Sequence, residues 1–308
     1  MTQNAKDFHS GVVALIGPPN AGKSTLLNTI VGEKVAIVSP KPQTTRNQIT
    51  GIYTRDTVQA VFLDTPGIHQ SGIKLNRCMV DAAWKALAGA DLVVLMLDGL
   101  RYSSRPEHWR RDLAPLIKPL QRLAQPFFVV VNKIDKIGSP EKVFPLLARC
   151  GNEWPGTEVF PVSAVKGTGV DAMLKRIVDT LPLGPPLYGE DQLSTLPLRF
   201  MVTEIIREKL FLTMQDEIPY NLAVDIDAWD DHAGPNLVGI TATIYVSKAN
   251  YKGMIIGKGG QTLKKVGSMA RPEIAELVGS KIFLELWVKV KPRWNENTPF
   301  MTGMGLGG

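Results

Sequence analysis

The chain has 308 residues, a formal net charge of +6 and an ordinary globular composition, 44% hydrophobic and 21% charged. That length suggests about two domains, each able to bury its own core, and the mild positive balance suits a polyanionic partner. Mean hydropathy of +0.01 is that of an ordinary globular chain, and with no apolar run near the roughly eighteen residues of a bilayer span any membrane contact is expected to be peripheral.

Residues 1–10 are polar and lack the basic-then-apolar pattern of a secretion signal. Cys78 and Cys150 have no metal-ligand spacing, which is the usage of reduced thiols in a cytosol. The four histidines, His9, His69, His108 and His232, are scattered and offer no metal site.

The apolar run Val12–Ile16 reads as a buried strand and Leu26–Ile30 as the start of a helix. Between them stands Gly17-Pro18-Pro19-Asn20-Ala21-Gly22-Lys23-Ser24-Thr25, the G-x-x-x-x-G-K-[ST] phosphate loop in its strand-to-helix setting. Asn20, Ala21, Gly22, Lys23, Ser24 and Thr25 are expected to cradle a nucleotide. Glycines let successive N–H groups turn inward onto oxyanions, and the helix N-terminus adds partial positive charge. Lys23 reaches the terminal phosphates, and the Ser24 hydroxyl takes a magnesium position.

Lys41-Pro42-Gln43-Thr44-Thr45-Arg46 reads as a loop from which a threonine can bring its hydroxyl to magnesium, ordering the loop only while a γ-phosphate is present. The strand Ala60–Leu63 ends in Asp64-Thr65-Pro66-Gly67, placing a carboxylate for magnesium and the Gly67 N–H for the γ-phosphate. Strands at Asp91–Asp98 and Phe127–Val131 alternate with helical segments such as 76–89, the pattern of a parallel sheet covered on both faces.

The second of these strands delivers Asn132-Lys133-Ile134-Asp135. Asp135 can accept paired hydrogen bonds from guanine N1–H and its exocyclic amine, a pair adenine lacks. Asn132 is expected to brace the loops and the Lys133 stem to lie along the base. A last strand, Glu158–Val162, carries a proline suited to an edge or a strand end, and leads to Ser163 and Ala164, whose N–H groups are expected at the guanine carbonyl.

This half resembles the translation-factor-related GTPases. The resemblance implies GTP hydrolysis to GDP with movement near 38–50 and 64–80, matches Ser24 and Thr45 rather than Thr44 to magnesium ligation, and puts Lys23, Thr45 and Gly67 in the catalytic set. Asn20 stands where related GTPases place a potassium ligand. One departure is Ile68, an alkyl group where Ras-like GTPases carry the glutamine that orients water.

Leu181-Pro182-Leu183-Gly184-Pro185-Pro186-Leu187 breaks both helix and strand and closes the first domain near 181. Beyond it come a helix, Phe200–Leu212, strands at Tyr220–Ile226 and Ile240–Val246, and a closing strand, Ile282–Val290. Gly257-Lys258-Gly259-Gly260, followed by Lys264 and Lys265, reads as the G-x-x-G loop of a KH module, where small residues admit a nucleic-acid backbone. Residues 191–240 hold three Lys+Arg against nine Asp+Glu, whereas 241–308 hold ten against four. The net charge thus swings from −6 to +6, and the positive half carries the loop, an electrostatic footprint for RNA phosphates.

A phosphate-loop GTPase domain of mostly parallel α/β build followed by a smaller α+β KH domain resembles the Era family of bacterial GTPases. The segments 41–46, 204–210, 218–220 and 284–291 carry the likeness. It implies GTP or GDP with Mg2+, RNA near the 3′ end of the small-subunit ribosomal RNA, a role in maturing that subunit, and loose association with the cytoplasmic membrane face; stimulation by K+ is a separate expectation that rests on Asn20. The expected boundaries are 1–181 for the GTPase domain, 182–198 for a linker, 199–292 for the KH domain and 293–308 for a flexible tail. The rival is a constitutive RNA-binding protein that keeps the nucleotide domain as a scaffold, against which the intact Lys23, Ser24 and Asp64 argue.

Overall fold

The computed structural model describes residues 8–68 and 74–306. Its contacts divide the chain into two units. One holds the chain up to Ala36 and then most of Thr45–Thr195, and the other gathers Ile37–Thr44 with Leu196 onward.

In the first unit the order is β1 (His9–Ile16), α1 (Lys23–Val31), β2 (Ile49–Arg55), β3 (Val58–Asp64), α2 (Lys74–Ala88), β4 (Leu92–Asp98) and α3 (Gly99–Ser104). There follow α4 (His108–Leu120), β5 (Phe127–Asn132), α5 (Phe144–Glu153), β6 (Val159–Pro161) and α6 (Val170–Thr180). The six strands lie in the order β2-β3-β1-β4-β5-β6, all pairs parallel except the antiparallel β2/β3. Both faces of β1 and β4 are buried, as their unbroken Val, Leu and Ile runs require of a sheet covered on two sides. Pro161 sits on the edge strand β6, where its missing N–H costs no ladder bond.

Parallel order brings the C-terminal ends of β1, β3, β4 and β5 to one edge of the sheet. The phosphate loop, Asp64, Asp98 and Asn132 all leave from that edge, with Leu15 beside Asp64 and Asp98 beside Asn132 in register. A crevice outside the carboxyl ends, where the strand order reverses about β1, is where open α/β sheets take ligands. An aromatic cluster anchors α3–α5: Tyr102 meets Trp109 and Phe127 meets Trp154 edge to face, and the two tryptophans pack tilted at 46°. Cys150 lies fully buried in the same cluster, and burial pushes its thiol up to about 12, an inert group.

Strand β2 was not expected. It reads weakly because Gly51 interrupts it, and it forms because β3 offers a free edge. The 182–198 stretch expected as a linker is docked on this unit as far as 194. The Leu187 and Tyr188 N–H groups both donate to the buried Gln59 side chain, and Leu193 accepts from the Ile52 N–H at 2.8 Å, covering the β2 edge.

The second unit contains α7 (Leu198–Thr213), β7 (Leu222–Gly234), β8 (Leu237–Val246), α8 (Ala249–Ile256), α9 (Gln261–Val278), β9 (Lys281–Val290) and α10 (Thr298–Gly303). Its sheet runs β7-β8-β9, with β7/β8 antiparallel and β8/β9 parallel. Helices α7, α8 and α9 pack a single apolar core against it through Ile206, Leu210, Tyr251, Ile255, Val266 and Ile274. The residues before the G-x-x-G form helix α8, which ends at Ile256, directly against Gly257.

The stretch expected as a flexible tail is folded through residue 306. Trp294 is fully buried and donates its indole N–H to the Asn221 carbonyl at 3.0 Å, Phe300 stacks on Tyr245, and Met301 is buried. Scattered apolar residues in a Gly-rich stretch carry no periodic signal, so only the surface they cover could reveal the element. Residues 307–308 and 69–73 lie outside the described residues, the latter within the segment expected to move.

Candidate nucleotide and nucleic-acid sites

Gly22 closes the phosphate loop with φ 98°, and a Cβ there would fall 2.2 Å from the Asn132 amide nitrogen. Only glycine fits so close an approach with that backbone. Helix α1 then starts at Lys23, with Ser24 and Thr25 in its first turn. A glycine-bearing loop that runs straight into a helix N-terminus has the build of a cradle for an anion.

Lys23 is buried and donates to the Gly17 and Pro18 carbonyls at 3.2 and 3.1 Å. Burial lowers its pKa to about 8, against the opposing pull of the Asp64 charge. Asp64 is wholly buried, and burial raises its carboxyl to about 6, opposed by Lys23 and by the Ser24 and Thr45 hydroxyls. Both shifts have the same main cause, loss of water around an ion.

Ser24 Oγ donates to Asp64 Oδ2 at 2.5 Å and lies 2.9 Å from Thr45 Oγ1, which itself donates to Oδ2 at 3.4 Å. Asp64 Oδ1 is buried without a hydrogen-bond partner. Three hard oxygens and one orphaned carboxylate oxygen beside a phosphate cradle fit magnesium, which takes one or two carboxylates and leaves its other positions to water and phosphate.

Thr44 and Thr45 are separated by their partners. The Thr44 hydroxyl donates to the Lys41 carbonyl and sits 2.6 Å from Ser39 Oγ, so Thr45 alone faces Asp64. Gly67 passes so close to Pro19 that a Cβ would meet the Pro19 nitrogen at 2.6 Å. Ile68 is buried in the apolar cluster, and its N–H donates to the Gly17 carbonyl. An alkyl group packed there orients no water.

Asn132 spans two loops. Its amide donates to the Ala21 carbonyl and its oxygen accepts from the Ala164 N–H, each at 2.9 Å. Asp135 accepts from Ser163 Oγ at 2.7 Å, which fixes the carboxylate's direction. The Ser163 and Ala164 N–H groups differ from expectation, because both have partners inside the protein. The Ser163 N–H donates to the Thr168 carbonyl in a local bridge and the Ala164 N–H to Asn132 Oδ1, while the Ser163 hydroxyl is the group that meets Asp135. Lys133 holds φ 66° and binds the Asn20 carbonyl and the Asp98 carboxylate, each at 2.6 Å. Asp98, which also caps α3, and Thr29, whose hydroxyl donates to the Ala164 carbonyl, went unanticipated since neither lies in a motif.

In the second unit Gly257, Gly259 and Gly260 all have positive φ, at 75°, 58° and 78°. The loop therefore needs glycine, and it ends on the N-terminus of the 18-residue α9 with Lys258, Lys264 and Lys265 exposed around it. Half-buried Ile256, Leu263, Leu284 and Leu286 lie on the apolar side between the helices and β9. Donors at a helix end, three cations and an apolar floor are the parts of a single-stranded nucleic-acid groove.

A family model described as a 50S ribosome-binding GTPase matches residues 12–133, and a KH domain model matches 217–295. The chain is 50% identical to GTPase Era of Nitratidesulfovibrio vulgaris over 303 residues, 98% of both chains, and 43% identical to GTPase Era of Geobacter metallireducens over 298 residues, 97% of this chain and 98% of that one. Two crystal structures, each 39% identical, cover 97% of this chain and 99% of their own. They are a point variant of Aquifex aeolicus Era bound to GDP and AlF4−, at a TM-score of 0.88, and Era with MgGDPNP and nucleotides 1506–1542 of 16S ribosomal RNA, at 0.89.

Proposed function

The chain belongs to the Era family of GTPases, and from that premise we propose that it is a GTP-hydrolysing switch that binds the 3′ region of small-subunit ribosomal RNA and assists maturation of that subunit. In this reading residues 1–181 are the nucleotide domain, and the RNA-binding domain opens at 199 and continues through the folded segment to 306. The relative that holds both MgGDPNP and 16S ribosomal RNA supports the pairing of ligands. The observation that carries the reading is the convergence of Ser24, Thr45 and Asp64 beside the phosphate cradle, with Asp135 oriented by Ser163 at the other end.

Ser24, Thr45 and Asp64 hold Mg2+, which when bound neutralises charge on the phosphates. Lys23 provides the cation at the terminal phosphates, with Thr45 and Gly67 beside it. Asp135 reads guanine, and Asn132 and Lys133 brace its loop. Gly257, Lys258, Gly259, Gly260, Lys264 and Lys265 take the RNA backbone. Water activation falls to a group other than residue 68, and Asn20 as a potassium ligand is part of the same reading. The protein acts in the cytoplasm. Peripheral association with the membrane face is part of the same reading; among the described residues no helix is long and apolar enough to cross a membrane.

The test is binding of a single-stranded RNA from the 3′ end of 16S ribosomal RNA with GDPNP, with GDP and without nucleotide, alongside GTP and ATP hydrolysis in KCl and NaCl. Guanine-specific hydrolysis and nucleotide-dependent RNA affinity are expected. RNA affinity indifferent to nucleotide would overturn the switch, and equal rates in the two salts would remove the potassium ion.

A further inference from the structure

Helix α7 buries four charged side chains in six positions. Glu204, Arg207, Glu208 and Lys209 are each no more than 8% exposed. Buried charges are expensive unless paired, and apolar residues would fill the same space at lower cost. Apolar residues at helical spacing around Glu204, Arg207 and Lys209 mark a helix, and nothing in that spacing says that the charges themselves are buried.

Their partners give the reason. Arg207 forks onto Glu204 through Nε and Nη2, at 2.7 and 2.6 Å, and Nη2 also donates to the Thr44 carbonyl. Glu208 Oε1 accepts from the Val38 N–H at 2.9 Å. Lys41 donates to the Met214 carbonyl at the end of α7. The segment Ile37–Thr44 is thus held at both ends and the middle by one helix, and by its contacts it belongs to the second unit. Lys209 bridges Glu208 and Glu273 of α9, at 2.6 and 2.5 Å, which locks α7 to the helix that follows the G-x-x-G and makes it a stiff support.

The next residue after this clamp is Thr45, whose hydroxyl meets Ser24 and Asp64. One peptide bond separates the carbonyl that Arg207 holds from the residue that brings its hydroxyl to magnesium, a reach of about 3.8 Å between successive Cα atoms. We propose that Arg207 and Glu208 are positioning residues for GTP hydrolysis, fixing the 37–44 backbone so that Thr45 is delivered to the metal. The inference rests on the reading of Thr45 as a magnesium ligand. It adds that residues outside every nucleotide-binding motif set the occupancy of that ligand.

The test uses the full chain. Arg207→Lys keeps the charge on Glu204 but lacks the planar fork that serves two partners. Glu208→Ala removes the acceptor for Val38, whereas Glu208→Gln keeps an oxygen there. Arg207→Lys and Glu208→Ala are expected to lower kcat about tenfold or more and to raise the Mg2+ concentration for half-maximal hydrolysis, since small misplacements of a reacting group cost that much. GDP affinity should stay unchanged, and Glu208→Gln should restore most of the rate. Wild-type kcat and Mg2+ dependence in folded Arg207→Lys and Glu208→Ala would overturn the proposal. So would parallel loss of GDP affinity and thermal stability that Glu208→Gln fails to rescue, which marks a merely structural role. Should Arg207→Lys not fold, the Glu208 pair decides alone. Hydrolysis by wild type that is insensitive to Thr45→Ala would instead strike the reading of Thr45 on which the inference rests.

Discussion

Asp64 shows how burial and ligand choice are tied together. With its carboxyl raised to about 6 by loss of water, the group keeps its proton about two pH units longer than a solvated aspartate. The sign follows from linkage. A raised carboxyl favours the folded chain fully below its unfolded value near 4, and that contribution is lost as pH rises through 6. A magnesium ion reverses the balance because it needs the carboxylate. Mg2+ affinity, followed by calorimetry at fixed GDP, is therefore expected to fall about tenfold per unit below pH 6, and Asp64→Asn should abolish both tight binding and the slope. A flat profile between pH 5 and 7 would contradict it. Lys23, lowered only to about 8, keeps its positive charge at neutral pH. At this scale the motif residues were legible because each motif is a run of chain neighbours with a fixed geometry. Asp98 and Thr29 were not, since their roles come from partners 35 and 135 positions away.

Among the elements, α10 and the turn before it have the most to say about stability. Trp294 fills the space between the Asn221 turn and Phe300, fully buried and with its indole N–H satisfied. Trp294→Ala leaves a large cavity and an unpaired carbonyl, for an expected loss of about 3–5 kcal/mol. Calorimetric melting should show it as a lowered transition for the second unit, while an unchanged melt would mean that the segment is a passive appendage. The long apolar strands were readable from the chain because sheets covered on both faces leave no polar alternation. Strand β2 and helix α10 were not, because each is stabilised by a surface made elsewhere: the free edge of β3 and the outer side of Tyr245.

Across the whole molecule the charge is uneven, and the positive segment 241–308 carries the G-x-x-G loop. Lys258, Lys264 and Lys265 are exposed there, so alanine at each should weaken RNA binding with little regard to sequence. Each substitution should also flatten the slope of log affinity against log salt by about 0.7, the value for a single strand. A slope unaltered in all three variants would move the phosphates off this surface. The sequence by itself determined the α/β and KH architecture, the nucleotide class and the basic half of the chain, because the spacing of glycines in a loop, a buried strand's composition and net charge are properties of neighbours along the chain. Only the tertiary structure decided that the Thr44 hydroxyl turns onto Lys41 and Ser39, that Asp64 keeps an unpartnered oxygen, and that Glu204, Arg207, Glu208 and Lys209 are buried around the 37–44 backbone. Burial and partner choice depend on what the fold brings alongside a residue, and residue type and spacing do not encode that.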